Sequence, residues 1–244
     1  MAHEDQHPAS TTTTRADALQ ILVVDDEPDL RELIEYNLRQ GGHEVYSVGD
    51  GQGALEAAKA RLPDVIVLDV MMPGMSGVEV AQRLRSQTET SRIPILMLTA
   101  KADESHELEG FESGADDYVT KPFSMSVLIA RIKSLAKRSQ PTTTKSDGMS
   151  LGPVSIDLDE HQVLVEGKPV SFTITEFRLL ATLVGSKGKV LSRPALISRA
   201  IGPGVTVTER TIDVHVTAIR KKLGDYASLI STVRGVGYRA DDPK

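Results

Sequence analysis

Short apolar runs that each end in a polar residue are the feature that most constrains the fold of this chain. A wholly apolar run of four residues, such as Val65–Leu68, is typical of a strand buried on both faces of a parallel sheet. Similar runs are found at Ile21–Val24, at Ile95–Leu98 and, in a shorter form, at Tyr118-Val119. The polar residues that follow the four runs are, in chain order, Asp25 with Asp26, Asp69, Thr99 and Lys121.

Helical patterns separate these strands. The segment that begins at Pro28 and ends before Gly41-Gly42 places Leu30, Leu33, Ile34 and Leu38 toward one side, as an amphipathic helix does. A further strand is predicted at Glu44–Val48, and a helix is predicted at 124–138. Five strands that alternate with helices predict an α/β doubly wound, five-stranded parallel sheet.

The polar strand ends are expected to meet at one edge, because open α/β sheets bind ligands at the carboxyl ends of their strands. A carboxylate can attack phosphorus and form an aspartyl phosphate. A divalent cation reduces the repulsion between the two anions, and Mg²⁺ favours a few carboxylates together with phosphate oxygens. The pattern therefore predicts Asp69 as a phosphoryl acceptor, Asp25 and Asp26 as metal ligands with it, and Lys121 as a countercharge.

Each of these residues also has an ordinary explanation when taken alone. Aspartates are common in turns at strand ends, and most lysines are solvated on a surface. The combination of three carboxylates, a hydroxyl and an ammonium at successive strand ends favours a phosphoryl-accepting site over these ordinary explanations. Pro122, next to Lys121, is a candidate for a cis peptide bond.

Composition and charge divide the chain into parts. Residues 1–18 are polar and predict a disordered tail, and the polar stretch 139–148 predicts a linker between residues 19–138 and residues 149–241. Up to Gly148 the net charge is −9, whereas the remainder carries +3, which favours a regulatory domain followed by a nucleic-acid-binding one. The absence of cysteine and of a long apolar run predicts a cytoplasmic protein without a membrane segment.

The second half has a different order of elements. Short strands precede Thr173-Ile-Thr-Glu176, which has the sequence of a helix capping box. Two further helices are predicted, one after Arg193-Pro194 and one at about 208–223, and a hairpin closes around Arg234-Gly235. This order of strands, three helices and a hairpin predicts an α+β winged helix-turn-helix domain.

The helix at 208–223 has two distinct faces. Ile212, Val216, Ile219 and Leu223 fall within a narrow arc and are expected to face the core. The opposite face can enter the major groove of DNA, where basic side chains suit phosphates or guanine and apolar ones suit thymine methyls. The predicted DNA-contacting residues are Arg210, Val214, His215, Thr217, Ala218, Arg220 and Lys221 of this helix, together with Thr232, Arg234 and Tyr238 of the hairpin.

Residues 19–138 resemble the receiver domain of two-component response regulators, which has the flavodoxin-like fold. The resemblance implies phosphorylation of Asp69 by a sensor histidine kinase, with Mg²⁺ held by Asp25, Asp26, Asp69 and the backbone carbonyl of Met71. It also implies that Thr99, Ala100 and Lys121 bind the phosphoryl group and that Tyr118 moves inward as an aromatic switch.

The strings TITEFRLL, ERTIDVHVTAIRKKLG and STVRGVGYR resemble the DNA-binding domain of the OmpR/PhoB family. This resemblance implies a homodimer when phosphorylated, bound head to tail on direct-repeat promoter DNA. The implied dimer face includes Asp116, Asp117, Arg131 and Lys133. Contact with RNA polymerase is implied through the loop 201–207, which lacks the tryptophan usual in the family.

We therefore expect a transcription factor that is activated by phosphorylation and is not an enzyme acting on an external substrate. A metal-dependent phosphatase or phosphotransferase is one alternative, but it would need a substrate-binding cap in place of the basic second half. A regulator that binds DNA without phosphorylation is the other alternative, and the intact acidic site argues against it.

Overall fold

The computed structural model describes residues 18–100, 114–139, 148–201 and 209–242. Nearly all of the predicted tail and linker, and the loop expected to contact RNA polymerase, fall outside these ranges. The helix expected between the fourth and fifth strands falls on residues 101–113 and also lies outside them. Within the described residues, no helix is both long and apolar enough to span a bilayer.

The first half folds around one parallel sheet, as its apolar runs predict. The strands are β1 (Gln20–Val24), β2 (Glu44–Val48), β3 (Val65–Asp69), β4 (Ile95–Thr99) and β5 (Asp117–Thr120). Their order across the sheet is β2-β1-β3-β4-β5, and every neighbouring pair is parallel. The flanking helices are α1 (Pro28–Gln40), α2 (Gly51–Arg61), α3 (Gly77–Ser86) and α4 (Met125–Ser139). The predicted doubly wound α/β fold is confirmed.

Both faces of this sheet are buried, which explains the lack of polar alternation in its strands. Leu22 and Val24 pack on one side of β1, while Ile21 and Val23 pack on the other. Successive side chains of a strand point to opposite faces, so each strand supplies residues to two separate apolar layers. The polar residues can therefore lie only at the strand ends, where the layers stop.

One detail of α1 differs from the prediction. Ile34 and Leu38 are buried, but Leu33 is 49% exposed. At about 100° per residue, Leu33 lies roughly 120° from the line midway between Ile34 and Leu38, so it cannot share their contacts with the sheet. The helix buries a narrower stripe than its leucine content indicates.

The second half is a separate α+β unit with its own core. The antiparallel strands β6 (Met149–Leu151), β7 (Val154–Asp157), β8 (Gln162–Val165) and β9 (Lys168–Val170) form its first sheet. Three helices follow, namely α5 (Ile174–Gly185), α6 (Arg193–Leu196, continued by a π-helical turn at Ile197–Ile201) and α7 (Glu209–Leu223). The closing hairpin consists of β11 (Ile230–Val233) and β12 (Gly237–Ala240), and β12 also pairs with the two-residue strand β10 (Leu191–Ser192). The predicted winged helix-turn-helix architecture is confirmed, although β6 and β10 are too short for the sequence pattern to show.

The start of α5 is held by the predicted capping box. The Thr173 side chain accepts from the Glu176 backbone N–H, and the Glu176 carboxylate accepts from the Thr173 backbone N–H at 2.8 Å. Glu176 is buried and also pairs with Lys222 of α7 at 2.5 Å. The cap therefore fixes the start of α5 and joins it to α7.

Two glycines in the first turns of receiver-half helices should respond oppositely to alanine. A Cβ at Gly77 would lie 2.0 Å from the Asp69 carbonyl oxygen, whereas a Cβ at Gly53 meets nothing closer than 3.4 Å. We expect Gly77→Ala to lower the free energy of unfolding by about 3 kcal/mol through overpacking. Gly53→Ala should raise it by about 0.5–1 kcal/mol, because alanine restricts the unfolded chain. Urea unfolding followed by circular dichroism measures both free energies. An unchanged free energy of unfolding for Gly77→Ala would contradict the close approach of Gly77 to the Asp69 carbonyl oxygen.

Candidate functional site

An acidic cluster lies at the carboxyl edge of the parallel sheet. Asp25 follows β1, Asp26 follows it in turn, and Asp69 ends β3. One carboxylate oxygen from each of the three residues lies within 4.8 Å of the others. Asp25 and Asp69 are buried, whereas Asp26 is partly exposed, so the cluster opens toward solvent on one side. The structure brings together the three carboxylates that the sequence predicts.

Lys121 supplies the positive charge at this edge. Its Nζ lies 2.9 Å from Oδ2 of Asp25 and 3.2 Å from Oδ1 of Asp69. Its backbone N–H donates to the Thr99 carbonyl oxygen at 2.6 Å, and the following bond to Pro122 is cis. The lysine therefore bridges the ends of β1 and β3 while its backbone continues the pairing between β4 and β5.

The protonation of Asp69 reflects its environment. The pKa of its carboxyl is raised to about 6, mainly by burial and also by the neighbouring Asp25 carboxylate. The Lys121 ammonium and a backbone hydrogen bond from Met71 oppose that rise but do not cancel it. A carboxylate that is costly to ionise in the metal-free protein gains from any cation that approaches it.

These residues fit a bound Mg²⁺ ion. Three carboxylates face one ammonium, so two negative charges lack an internal partner among the four groups. The donors are all hard oxygens, which is the ligand type that Mg²⁺ favours. Asp25 is already turned toward Lys121 and accepts from the Glu27 backbone N–H at 2.9 Å through its other oxygen. Both carboxylate oxygens of Asp25 therefore already have partners.

The remaining residues predicted for this edge occupy distinct positions. Thr99 is buried at the end of β4, and Ala100 next to it is exposed. Tyr118 lies in β5 and is only 8% exposed. The Met71 side chain is 68% exposed, as expected for a residue whose backbone alone has a predicted role.

Three of the four residues predicted for a dimer face, Asp116, Asp117 and Arg131, already have partners within this chain. Asp116 pairs with Arg85 of α3 at 2.8 Å, and Asp117 pairs with Arg131 of α4 at 2.7 Å. Lys133 is exposed on α4. The two aspartates are almost fully buried, so this structure does not present their carboxylates to a second copy.

The predicted DNA-contacting residues divide into an exposed and a buried set. Among the exposed or partly exposed ones are Arg210, Thr217, Ala218 and Lys221 of α7 with Thr232 and Arg234 of the hairpin. By contrast, Val214 is 7% exposed and His215 is 1% exposed. The helix therefore shows only part of its predicted reading face.

Arg220 and Tyr238 are held inside the winged-helix unit. Arg220 donates to the Ile230 carbonyl oxygen at 2.7 Å and to the Thr232 hydroxyl at 2.8 Å. The Tyr238 hydroxyl donates to the Asp213 carboxylate at 2.6 Å, and burial and this contact raise its pKa to about 12. In this structure both side chains position the hairpin against α7, and Tyr238 is not available at the surface for DNA.

Sequence reasoning missed two residues, Arg85 and Asp213, that organise these surfaces. Arg85 donates to the carbonyl oxygens of Ser91 and Ile93 and to Asp116. Asp213 accepts from both Tyr238 and Arg193, the latter at 2.7 Å. A charged residue on the inner side of a helix indicates a buried partner. The sequence does not identify that partner, because the partner lies in an element distant in sequence.

The pKa of Asp69 predicts how the metal-free protein responds to pH. A folded-state pKa of about 6 against 3.8 means that protonated Asp69 stabilises the fold below pH 3.8, and that this contribution is lost as pH rises through 6. The side chain introduced by Asp69→Asn stays neutral at every pH. The free energy of unfolding of this variant should therefore exceed that of the wild type by about 3 kcal/mol at pH 8, and the difference should vanish near pH 4. Urea unfolding of both proteins between pH 4 and pH 8, with a chelator present to remove metal ions, measures this difference. The exposed Glu56→Gln is the control, and a difference independent of pH would refute the assignment.

Comparisons with known proteins agree with this architecture. Residues 21–133 match the family described as "Response regulator receiver domain", and residues 167–240 match "Transcriptional regulatory protein, C terminal". The phosphate regulon transcriptional regulatory protein PhoB of Pseudomonas aeruginosa is 42% identical over 220 residues, which cover 90% of this chain and 96% of that protein.

Two further relatives extend the similarity. The probable transcriptional regulatory protein TcrX of Mycobacterium tuberculosis is 39% identical over 92% of this chain and 97% of its own length. The solved structure of a RitR mutant superposes with a TM-score of 0.76 at 29% identity, and the match covers 92% of this chain and 99% of that one. The chain thus belongs to the OmpR/PhoB family of DNA-binding two-component response regulators that act in transcription.

Proposed function

We propose that a sensor histidine kinase phosphorylates Asp69 and that phosphorylation promotes DNA binding by the winged-helix domain. The observation that carries the proposal is the convergence of Asp25, Asp26, Asp69 and Lys121 within hydrogen-bonding or metal-binding distance. Asp69 ends a central strand, and its pKa is raised to about 6. The chain accepts a phosphoryl group on itself and turns over no external substrate.

The residues of the site have separate tasks in that transfer. Asp69 supplies the oxygen that forms the new bond to phosphorus, the bond between phosphorus and nitrogen in the kinase phosphohistidine breaks, and the histidine imidazole is the leaving group. Asp26 and Asp69, with Asp25 and the carbonyl of Met71, would hold Mg²⁺, which neutralises charge between the phosphoryl group and the carboxylates when bound. Lys121 is close enough to move from the Asp69 carboxylate to a phosphoryl oxygen and pair with it.

The switch proposed for the receiver uses the neighbouring strands. Thr99 and Ala100 lie at the end of β4, where the Thr99 hydroxyl and the Ala100 backbone can bind phosphoryl oxygens. Tyr118 faces Met97 of β4 in the sheet register, so a shift at the end of β4 reaches its surroundings directly. A new dianion at Asp69 thereby biases a two-state arrangement of β4, β5 and Tyr118.

Activation is proposed to end in a dimer on DNA. Two receivers associate through the face that contains Asp116, Asp117, Arg131 and Lys133, and two winged-helix units bind direct repeats head to tail. Exposed Arg210 and Lys221 suit phosphates or guanine, while Thr217 and Ala218 suit thymine methyls. RNA polymerase is the proposed further partner.

Selection of binding sites from random DNA tests the function in one experiment. The full-length protein is used with and without Mg²⁺ and beryllofluoride, which imitates the phosphoryl group. We expect direct repeats to be enriched only with the mimic, and Asp69→Ala to abolish that dependence. Equal enrichment in both arms would favour a regulator that binds DNA constitutively and would refute gating by Asp69.

Acetyl phosphate should add one phosphoryl group to the wild type and none to Asp69→Ala, as mass spectrometry reports.

Removal of one contact between a basic side chain and a DNA phosphate should weaken DNA binding without changing which DNA sequence is preferred. Lys221 is exposed on the outer face of α7, where a phosphate contact releases counterions. Lys221→Ala should lower affinity for all selected sites alike and reduce the slope of log K against log salt by about 0.9. Titrations at several salt concentrations measure the slope. Lys168→Ala, an exposed lysine on β9, should leave it unchanged, and an altered site preference for Lys221→Ala would mean base contact instead.

A further inference from the structure

The receiver and the winged-helix unit are in contact in this structure. The Thr175 backbone N–H, in the first turn of α5, donates to Oδ1 of Asp116 at 3.2 Å, and the Thr175 hydroxyl donates to the Asp116 carbonyl oxygen at 3.1 Å. Val214 of α7 packs in the apolar cluster that contains Ala115 and Tyr118 of the receiver. These contacts do not fill all the space between the two units.

A cavity of about 250 Å³ remains between them. Arg92 lines it from the receiver, and the winged-helix unit contributes Asp159, His161, Phe172, Ile174 and Phe177. At about 30 Å³ for each water molecule, this volume holds roughly eight waters or one small organic molecule. It is smaller than the sites of about 300–1,000 Å³ that hold drug-sized ligands, so a nucleotide does not fit.

Part of the lining is apolar and aromatic. The ring of His161 lies 5.0 Å from that of Phe177, and the two ring planes are tilted by 37°. Phe172 and Phe177 belong to the core of the winged-helix unit, so their positions are fixed by packing before any ligand arrives. Small-molecule sites usually combine such a preformed apolar surface with a few polar groups. An apolar group, and a flat ring above all, suits this part of the cavity.

The charged part of the lining is incompletely paired. Oδ1 of Asp159 is buried, and it has no hydrogen-bond partner within the part of the chain that the structure describes. Arg92 donates to the Glu160 carbonyl oxygen at 3.2 Å in an exposed position, and its guanidinium carries more N–H donors than this bond uses. Arg92 and Asp159, both described, form no ion pair with each other. A cation and an anion therefore line one small cavity, and each is open to a partner of opposite charge.

We propose that this cavity binds a free α-amino acid with an aromatic side chain. The ligand carboxylate pairs with Arg92, because the planar guanidinium matches the geometry of a carboxylate. The ligand ammonium lies near the Asp159 carboxylate and offsets the cost of enclosing an oxygen that lacks a partner. The aromatic side chain packs against the rings of Phe172, Phe177 and His161.

The distribution of charge favours a zwitterion over a simple ion. An aromatic acid without an ammonium pairs with Arg92 but brings a second anion close to Asp159. An aromatic amine without a carboxylate pairs with Asp159 but brings a second cation close to Arg92. A molecule that carries both charges avoids both repulsions, which in a small and partly enclosed space are stronger than in water.

The two charged ends of the ligand are held by different parts of the chain. Arg92 precedes β4 of the receiver, and Asp159 lies between β7 and β8 of the winged-helix unit. A bound amino acid therefore joins the two units and stabilises the arrangement that forms its site. This gives the regulator a second chemical input, separate from Asp69, and the inference does not rest on phosphorylation of that residue.

Isothermal titration calorimetry of the full-length protein with L-phenylalanine tests the site. We expect saturable binding of one molecule per chain. 3-Phenylpropanoate lacks the ammonium and phenethylamine lacks the carboxylate, so each should bind about tenfold more weakly, as expected when a charged hydrogen bond is lost. Binding of either compound as tightly as L-phenylalanine would overturn the assignment to an amino acid. Absence of saturable binding of L-phenylalanine up to its solubility would overturn the site itself.

Two substitutions assign the charged groups of the site. Arg92→Gln and Asp159→Asn remove one charge each at positions that are at least partly exposed, so the fold is retained, as circular dichroism can verify. Arg92→Gln should weaken binding of L-phenylalanine about tenfold without weakening that of phenethylamine. Asp159→Asn should weaken binding of L-phenylalanine without weakening that of 3-phenylpropanoate.

Arg83→Gln, at an exposed position of α3, is the matched control and should leave the binding of all three compounds unchanged. An affinity for L-phenylalanine that is unchanged in both Arg92→Gln and Asp159→Asn would place the ligand elsewhere and overturn the proposal. Because none of these measurements uses DNA or a phosphoryl mimic, their failure would leave the proposed function intact.

Discussion

Charge at the carboxyl edge of the sheet is the constraint on which the molecule depends. Asp25 and Asp69 are buried there with Lys121 as their shared ammonium, and a third carboxylate lies beside them. Burying carboxylates that outnumber their partners costs stability, and the raised pKa of Asp69 is a direct sign of that cost. The site is therefore prepared for added positive charge and for a reaction that alters its balance.

The same strand connects that edge to the opposite end of the receiver. β5 begins next to Asp116, carries Tyr118 in its middle and leads to Lys121. Its register against β4 places Thr120 beside Thr99, and Lys121 donates to the Thr99 carbonyl oxygen. The four paired residues of β4 and β5 thus connect Lys121 and Thr99 with the contacts of the winged helix.

The fold and the acidic site were predictable because both depend on local patterns. Apolar runs such as Val65–Leu68 fix the strands, and the parallel connection brings their polar ends to one edge. The contacts of Thr175 and Val214 with the receiver were not predictable, because the sequence indicates a helix-cap residue at Thr175 and a DNA contact at Val214. Their burial depends on how two complete domains pack, which no pattern within either domain specifies. The burial of Tyr238, which the sequence predicted to contact DNA, was not predictable for a related reason, because its partner Asp213 is distant in sequence.

The reading face of α7 must satisfy two different partners. An apolar side chain such as Val214 can lie against a thymine methyl or against Ala115 and Tyr118 of the receiver. An arginine at this position would require a buried anion as its partner in this structure. An apolar residue at the position of Val214 therefore suits both the packing against the receiver and a contact with a thymine methyl.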